Sequence, residues 1–457
     1  MDQLSGGDSV FLAMELPGSP QHVGGLVQLD AREAPDFDFE KLLRVVDERI
    51  RLAPRFTRRL REVAGGLDRA WLVDDPDFDV RRHVHRIAVP APGGMRELAD
   101  LAGFLFAPPL ERSRPLWEMW WIEGVGEQRV ALLMKSHHCL MDGVASASMG
   151  SLLCDMEPQP SRPPEPASSE PAPEPSDLDV ALRATRNLLA RPVATLRLGR
   201  SLLRQGVGAL RSLRDPEAPP LAPLMPRVSF NANPGPRRAF ACTSVPLAAV
   251  KEIRKRFDVT VNDVVLALTG SAVRRYLEAR DELPKKSLIA VIAVSMRAEG
   301  DTTLGNQVTA VGVPWGTDRA DPVARLLRVH RAAEKAKSGA RREEAQLLAQ
   351  AGEAMLPGFL GFVMRNFGAA GASLAMPGNV VVSNVRGTPV PLYIGGARIE
   401  AMYPLSILAP TQGLNITAVS YCGKIDVGFT VDPDLVPDPW QLADGIPLAL
   451  EELQQAA

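Results

Sequence analysis

Residues 129–143 read RVALLMKSHHCLMDG, and this stretch carries the pattern from which the fold can be worked out. Its first ten residues (129–138) are largely apolar and predict a buried strand that ends at two adjacent histidines. Because successive side chains of a strand alternate between its two faces, His137 and His138 are expected to point in opposite directions.

The opposite directions of the two histidines limit the chemistry open to them. They are poorly placed to bind one metal ion together, and no third ligand follows at a familiar spacing, so no metal site is expected. A nucleophilic pair of Cys139 and His138 is also disfavoured, because neighbouring side chains diverge. A single histidine can still act as a general base.

Asp142 and Gly143 follow the histidines and lead into VASASMGSLLCDM (144–156), which predicts a helix. This leaves a plainer alternative, in which Asp142 only caps that helix and the histidines fill space. The spacing HxxxD by itself leaves both interpretations open.

Composition narrows the class of protein. A chain of 457 residues with 46% apolar residues is long enough for two or three packed domains. A formal net charge of -2 gives no overall positive field, so no nucleic-acid partner is expected.

The expected compartment follows from the cysteines and the apolar runs. Four cysteines without a CxxC pair favour a reducing cytoplasm. The first residues, MDQLSGGDSV, lack the features of a signal peptide. No transmembrane helix is expected, so any membrane contact should be peripheral.

A proline-rich segment divides the chain. Residues 157–175, EPQPSRPPEPASSEPAPEP, contain eight prolines and bury little, so they predict an extended linker. The predicted organisation is an N-terminal domain (1–155), a linker with basic helices (156–236) and a C-terminal domain (237–457).

A basic amphipathic segment follows the linker. Residues 180–214 contain eight arginines and no acidic residue. An apolar stripe recurs at helical spacing and comprises Leu182, Leu189, Val193, Leu196, Leu203, Val207 and Leu210. Such a helix either lies on an anionic membrane surface or packs its stripe on the protein and solvates its arginines. Pro192 and three glycines predict two helices here.

Strands and helices alternate in both halves, which predicts the α/β class. Predicted strands are HVGGLVQLD (22–30), SLIAVIAVS (287–295), NVVVS (379–383), LNITAVSY (414–421) and KIDVGFT (424–430). The last two flank Cys422-Gly423 as a hairpin. Predicted helices are 247–257, 262–279 with Asn262 as N-cap, and an apolar pair within 351–378 that could lie near lipid.

HHCLMDG is an HHxxxDG motif, and it resembles the coenzyme-A-dependent acyltransferase superfamily, which includes chloramphenicol acetyltransferase and peptide-synthetase condensation domains. More closely, the chain resembles the bacterial wax ester synthase/acyl-CoA:diacylglycerol acyltransferase family. The resemblance is carried, in order, by LSGGDSVFLAMELPGSPQHVGGL (4–26), PLWE (115–118), the motif (137–143), ND (262–263), SNVRGTPVPLY (383–393) and GARIEAMYPLSILAPTQGLNIT (396–417). Two departures are Arg386-Gly387-Thr388, where the family has Pro-Gly-Pro, and Cys139, where a smaller residue is usual.

The resemblance implies two chloramphenicol-acetyltransferase-like α/β domains with mixed sheets and a channel between them. Acyl-CoA would enter from one side and the acceptor from the other. It also implies that His138 is the base and that His137 faces away in a supporting role. Asp142 would pair with Arg297 across the domain interface, and Gly143 would leave room for substrate.

Three further positions are weaker expectations. Asn262 would lie near His138, or would serve only as a helix cap. Asn415 and Thr417 share one face of a predicted strand. They would line the channel, or would form an ordinary solvated face.

The implied activity is transfer of an acyl chain from acyl-CoA to diacylglycerol, to a long-chain alcohol, or to both. A thioester is already activated, so no cofactor and no acyl-enzyme are expected. The expected location is cytoplasmic, peripherally associated with the inner membrane or lipid droplets. Two alternatives remain: an acyltransferase or condensation enzyme acting on another lipid hydroxyl and fed by a carrier protein or coenzyme A, and a non-catalytic lipid-surface protein.

Overall fold

A computed structural model describes most of the chain. The described residues are 2–16, 18–140, 152–159, 174–212, 225–295, 308–339, 347–362 and 378–456.

The described residues form strands and helices that alternate along the chain. The strands are β1 (Asp2–Gln3), β2 (His22–Asp30), β3 (Arg58–Arg61), β4 (Trp71–Asp74), β5 (Val84–Ala88), β6 (Trp117–Glu123), β7 (Arg129–His137), β8 (Ala239–Pro246), β9 (Ile289–Ser295), β10 (Val308–Pro314), β11 (Val380–Arg386), β12 (Tyr393–Ile394), β13 (Ala397–Leu405), β14 (Leu414–Tyr421) and β15 (Lys424–Val431). The helices are α1 (Gly6–Met14), α2 (Phe39–Ile50), α3 (Met95–Phe106), α4 (Asp177–Ser212), α5 (Leu247–Phe257), α6 (Val261–Glu278), α7 (Pro322–Gly339), α8 (Leu347–Ala354) and α9 (Trp440–Gln455).

The first large sheet has six strands in the order β12-β13-β2-β7-β6-β5. Its neighbours are antiparallel except β5 and β6, so the sheet is mixed. The β2–β7 pair lies at its centre and places His22 opposite His137. A side chain at Gly24 would overlap the backbone carbonyl of Met134, so a glycine is required for this close pairing.

The second large sheet also has six strands, in the order β10-β9-β11-β14-β15-β8. β11 runs parallel to β9 and β14, and the remaining pairs are antiparallel. Its core forms where apolar side chains of the sheet meet those of α5, α6, α7 and α9, with Trp315 fully buried among them. Two mixed sheets in one chain confirm the predicted α/β class.

The two sheets are not separate in sequence. β12 and β13 (393–405) come from the C-terminal part of the chain, yet they complete the first sheet beside β2. β13 also packs against β15 of the second sheet, so closely that a side chain at Gly428 would overlap the carbonyl of Pro404. Strand β13 therefore belongs to one sheet and contacts the other.

Most of the predicted elements are confirmed. The hairpin of β14 and β15 turns at Cys422-Gly423, where both residues have positive φ (44° and 83°). Two element boundaries differ from the prediction. Thr260, not Asn262, caps α6, because its side chain and that of Asp263 form a reciprocal capping box. Strand β7 ends at His137, and His138 begins a short 3-10 helix.

Helix α4 is continuous over 36 residues, so the predicted break into two helices is wrong. One face packs on the small sheet of β1, β4 and β3, where Val180 and Ala184 meet Trp71. Asn187 and Arg191 on the same face hydrogen-bond the buried carboxylate of Asp68 at 2.8 and 3.2 Å.

The predicted apolar stripe of α4 lies on the opposite side of the helix. Leu182, Leu189, Leu196 and Leu203 are 61 to 79% exposed. The alternative in which this stripe packs on the protein is therefore wrong for these four leucines. The side chains of Val207 and Leu210 lie outside the described residues. In the described part of the chain, no helix is long and apolar enough to cross a membrane.

Candidate active site

His138 lies where the central strand of the first sheet ends. It is the first residue of a 3-10 turn (His138–Leu140) directly after β7. Its backbone N–H donates to the carbonyl of Gln21 at 2.8 Å, which extends the β2–β7 pairing by one residue. The strand pair therefore fixes the backbone of the candidate base.

The imidazole of His138 stacks on the ring of Phe11 from α1, with ring centroids 3.8 Å apart and planes at 15°. Removal from water lowers its pKa to about 4, opposed in part by its own backbone and by Asp8. Its Nδ1 is buried and has no hydrogen-bond partner within the described residues. The ring is therefore uncharged at pH 7, which is the form that accepts a proton.

His137 occupies different surroundings, as strand alternation predicts. Its Nδ1 accepts a hydrogen bond from the N–H of Cys139 at 3.1 Å, and its Nε2 lies 3.7 Å from Glu15. His22 approaches the same Glu15 oxygen at 3.8 Å. Burial, then the proximity of His138 and of Arg112, lowers the pKa of His137 to about 3. His137 thus supports the turn from inside the protein.

Charged side chains lie around this turn. Arg112 donates to Glu15 at 2.6 Å and so balances the carboxylate beside the two histidines. Lys135, two residues before His137, is buried and donates to the carbonyls of Leu105 and Pro108 at 3.3 and 2.6 Å. This lysine ties the C-terminal end of α3 to β7, as cations do at helix C-termini.

Helix α1 supplies contacts to the turn that the sequence patterns did not single out. Ser5 caps α1 by accepting the N–H of Asp8 at 3.1 Å. Asp8 pairs with Arg55 at 2.9 Å, and Arg55 reaches the carbonyl of Cys139 at 3.4 Å. The sequence did contain an indication of this arrangement. Asp8 and Phe11 are three residues apart, so in a helix they share one face and can contact the same neighbouring segment.

Three predicted site residues, Asn262, Asn415 and Thr417, lie in or beside the second sheet. Asn262 stands at the second position of α6 and lies 3.5 Å from the side-chain amide of Asn384. Asn415 and Thr417 are buried and bonded to each other at 2.9 Å, so the solvated-face alternative is wrong. The Nδ2 of Asn415 has no partner among the side chains and backbone that are described.

Asp142, Gly143 and Arg297 lie outside the described residues, and so does most of the predicted helix 144–156. Their roles stay predictions. Within the described ranges, no group of three or more His, Cys, Asp or Glu side chains could hold a metal ion.

Two mixed six-stranded sheets, with a histidine motif at the end of a central strand, define a two-domain acyltransferase architecture. Residues 4–265 match the wax ester synthase/diacylglycerol acyltransferase catalytic domain, and residues 304–454 match the C-terminal domain of the same family. The chain therefore belongs to the wax ester synthase/diacylglycerol acyltransferase family and is an acyltransferase.

Relatives and solved structures agree with this assignment. A putative diacylglycerol O-acyltransferase of Mycobacterium tuberculosis is 35% identical over 477 residues, covering 100% of this chain and 91% of the relative. A probable diacylglycerol O-acyltransferase of the same species is 33% identical, with coverage of 100% and 99%. The wax ester synthase/diacylglycerol acyltransferase of Marinobacter aquaeolei VT8 superposes with a TM-score of 0.71 at 26% identity, covering 100% of this chain and 99% of that one.

A more distant structure shares the fold alone. The first condensation domain of the calcium-dependent antibiotic synthetase gives a TM-score of 0.57 at 18% identity, with coverage of 99% and 95%.

Proposed function

We propose that this enzyme transfers the acyl chain of an acyl-CoA to the hydroxyl of diacylglycerol or of a long-chain alcohol, with His138 as the general base. The observation that carries the proposal is the position of His138, which directly follows β7 within the HHxxxDG motif and is held there by a backbone hydrogen bond to Gln21. The family and the names of the relatives supply the substrate classes.

The proposed reaction proceeds without an acyl-enzyme. His138 takes the proton of the acceptor hydroxyl as the oxygen attacks the thioester carbon. The carbon–sulfur bond then breaks, and His138 returns the proton to the thiolate of coenzyme A. A positioned base of this kind contributes about 10² to 10⁴ in rate. A lowered pKa makes the imidazolium a stronger acid, which favours the return step. The thioester supplies the activation, so the proposal includes no resident cofactor.

The other motif residues complete the proposal. Asp142 would pair with Arg297 and tie the motif to the C-terminal domain, while Gly143 would leave space beside His138. Asn415 would offer its free amide to the substrate channel, with Thr417 holding its orientation.

Release of coenzyme A tests the proposal. Purified protein is given palmitoyl-CoA with dioleoylglycerol or with hexadecanol, and free thiol is measured. His138→Ala should lower the rate at least 100-fold. His137→Asn is the matched control, because the side-chain oxygen of asparagine lies close to the position of the histidine Nδ1 and can still accept the N–H of Cys139, and it should lose much less. An inactive His137→Asn enzyme beside an active His138→Ala enzyme would overturn the assignment of the base.

We further propose that α4 binds the surface of the inner membrane or of a lipid droplet. Its exposed leucines form one stripe, whereas the face with Asn187 and Arg191 is held by the protein. Exposed arginines flank the stripe at positions 183, 186, 197 and 200. An apolar stripe bordered by cations suits an anionic lipid surface.

Vesicle flotation tests this surface. Vesicles containing phosphatidylglycerol should bind wild type more strongly at low salt, because salt screens the attraction. Changing Arg186, Arg197 and Arg200 to glutamine should weaken binding. A control variant carries the same change at Arg32, Arg81 and Arg86, which are exposed elsewhere. Equal binding by wild type and the α4 variant would refute the proposal.

A further inference from the structure

Helix α1 contacts the turn that carries His138 directly through Phe11 and indirectly through Arg55. Phe11 covers one face of the imidazole, with ring centroids 3.8 Å apart. One turn earlier, Asp8 holds Arg55, and Arg55 reaches the carbonyl of Cys139. The ring and the backbone of the same turn are therefore both held from one helix face.

Helix α1 is itself fixed in place. Ser5 caps its first turn. On another side α1 crosses α8, where a side chain at Gly352 would overlap the backbone of Gly6. Such close backbone contact leaves α1 no room to move toward α8.

A general base must lie within hydrogen-bond reach of the proton it takes, about 2.6–3.2 Å between heavy atoms. Misplacement by about 1 Å can cost roughly 100-fold in rate. His138 has no hydrogen-bond partner at Nδ1 among the described residues. The stack on Phe11, with the two ring planes at 15°, therefore constrains the plane of the imidazole.

We propose that Phe11 is a positioning residue for His138, and that α1 presents it to the catalytic turn. The inference rests on the proposed role of His138 as the base. Phe11 touches no reacting atom in this proposal. It fixes the plane of the imidazole and keeps water from one face of the ring.

The charged and titratable groups around the turn bear on the test, which uses pH. Asp8 and Arg55 approach from the side of α1. His137, Glu15 and Arg112 lie on the other side of the strand end. None of them is changed in the variants below, so a shift in the pH profile reports on the ring contact.

The test compares Phe11→Ala, Phe11→Leu and Phe11→Tyr in coenzyme A release across pH. Phe11→Ala and Phe11→Leu should lower kcat about 10- to 100-fold with little change in KM for acyl-CoA. Their acid limb of kcat/KM should move from near pH 4 toward the ordinary histidine value of about 6.5, because water reaches the ring. Phe11→Tyr keeps an aromatic ring, so its kcat and the acid limb of its kcat/KM profile should stay close to those of wild type.

Leu12→Ala is the matched control. Leu12 is the next residue of α1 and packs against the core of the first domain. Its loss should lower thermal stability without moving the acid limb. Wild-type kcat and an unmoved limb in Phe11→Leu would overturn the inference, and so would an equal shift in Leu12→Ala. Failure of the proposed function is distinct, because it would appear as activity retained in His138→Ala.

Discussion

Three histidines near the candidate active site, His22, His137 and His138, are held uncharged by burial. Removal from water is the largest cause of the lowered pKa of each one. In the unfolded chain the same rings have a pKa of about 6.5. The unfolded state therefore binds more protons below that pH, and the folded state loses stability as the pH falls.

The free energy of unfolding should accordingly fall between about pH 6.5 and pH 4, by up to about 1.4 kcal/mol per pH unit for each such histidine. His137→Gln should show a shallower fall than wild type, by about that amount. Urea unfolding at pH 7, 6 and 5 measures the slopes. Parallel slopes for wild type and variant would show that His137 does not carry this penalty.

Individual residues differ in how far the sequence could predict them. The opposite surroundings of His137 and His138 follow from the alternation of side chains along a strand, which is a local rule. The stack of Phe11 on His138 depends on two residues far apart in the sequence. No spacing rule brings them together, because the contact arises from the packing of α1 on the end of β7.

The hairpin of β14 and β15 shows how a turn fixes an element. Both Cys422 and Gly423 adopt positive φ, which matches the twist of paired strands and suits glycine. Among the described residues, no atom lies within 4 Å of where a side chain at Gly423 would begin. Backbone conformation alone therefore determines the effect of a substitution there.

Gly423→Ala should destabilise the protein by about 1–2 kcal/mol, the cost of a left-handed conformation with a Cβ atom. Gly199→Ala is the opposite case, since Gly199 lies within α4 and, like Gly423, has no described atom within 4 Å of where its side chain would begin. Alanine there should be neutral or stabilising, by up to about 1 kcal/mol. Chemical denaturation compares them, and equal effects at both sites would contradict the backbone explanation.

Elements whose periodicity is clear could be predicted closely, as β2 and α5 show. The prediction of two helices in place of α4 rested on the helix penalties of proline and glycine, about 3 and 1 kcal/mol. These penalties are local. They are offset by tertiary contacts of Asn187 and Arg191 with Asp68, which the sequence of the helix does not contain.

The whole molecule depends on the return of β13 to the first sheet. The proline-rich linker predicted domains at 1–155 and 237–457. It did not predict that residues 393–405 would complete the first sheet, because the partner of a strand is not encoded in its own periodicity. That pairing follows from packing across the full chain.

Residues 1–236 produced alone should fail to fold into a stable domain. Without β13, strand β2 would have an open edge, and such edges promote aggregation. Production together with residues 237–457 should restore solubility. Sedimentation and circular dichroism measure the outcome. A soluble, cooperatively unfolding 1–236 fragment would contradict the structural dependence on β13.

The position of β13 in the sequence also determines when the first sheet can be completed during synthesis. At about 5–20 residues per second, a ribosome needs roughly 20 to 70 seconds to proceed from the end of β2 to the start of β13. Throughout that interval β2 has been synthesised, but β13, its neighbour on the side away from β7, has not. The first sheet is therefore completed late in translation, and the edge of β2 stays unpaired until residues 397–405 have left the ribosome.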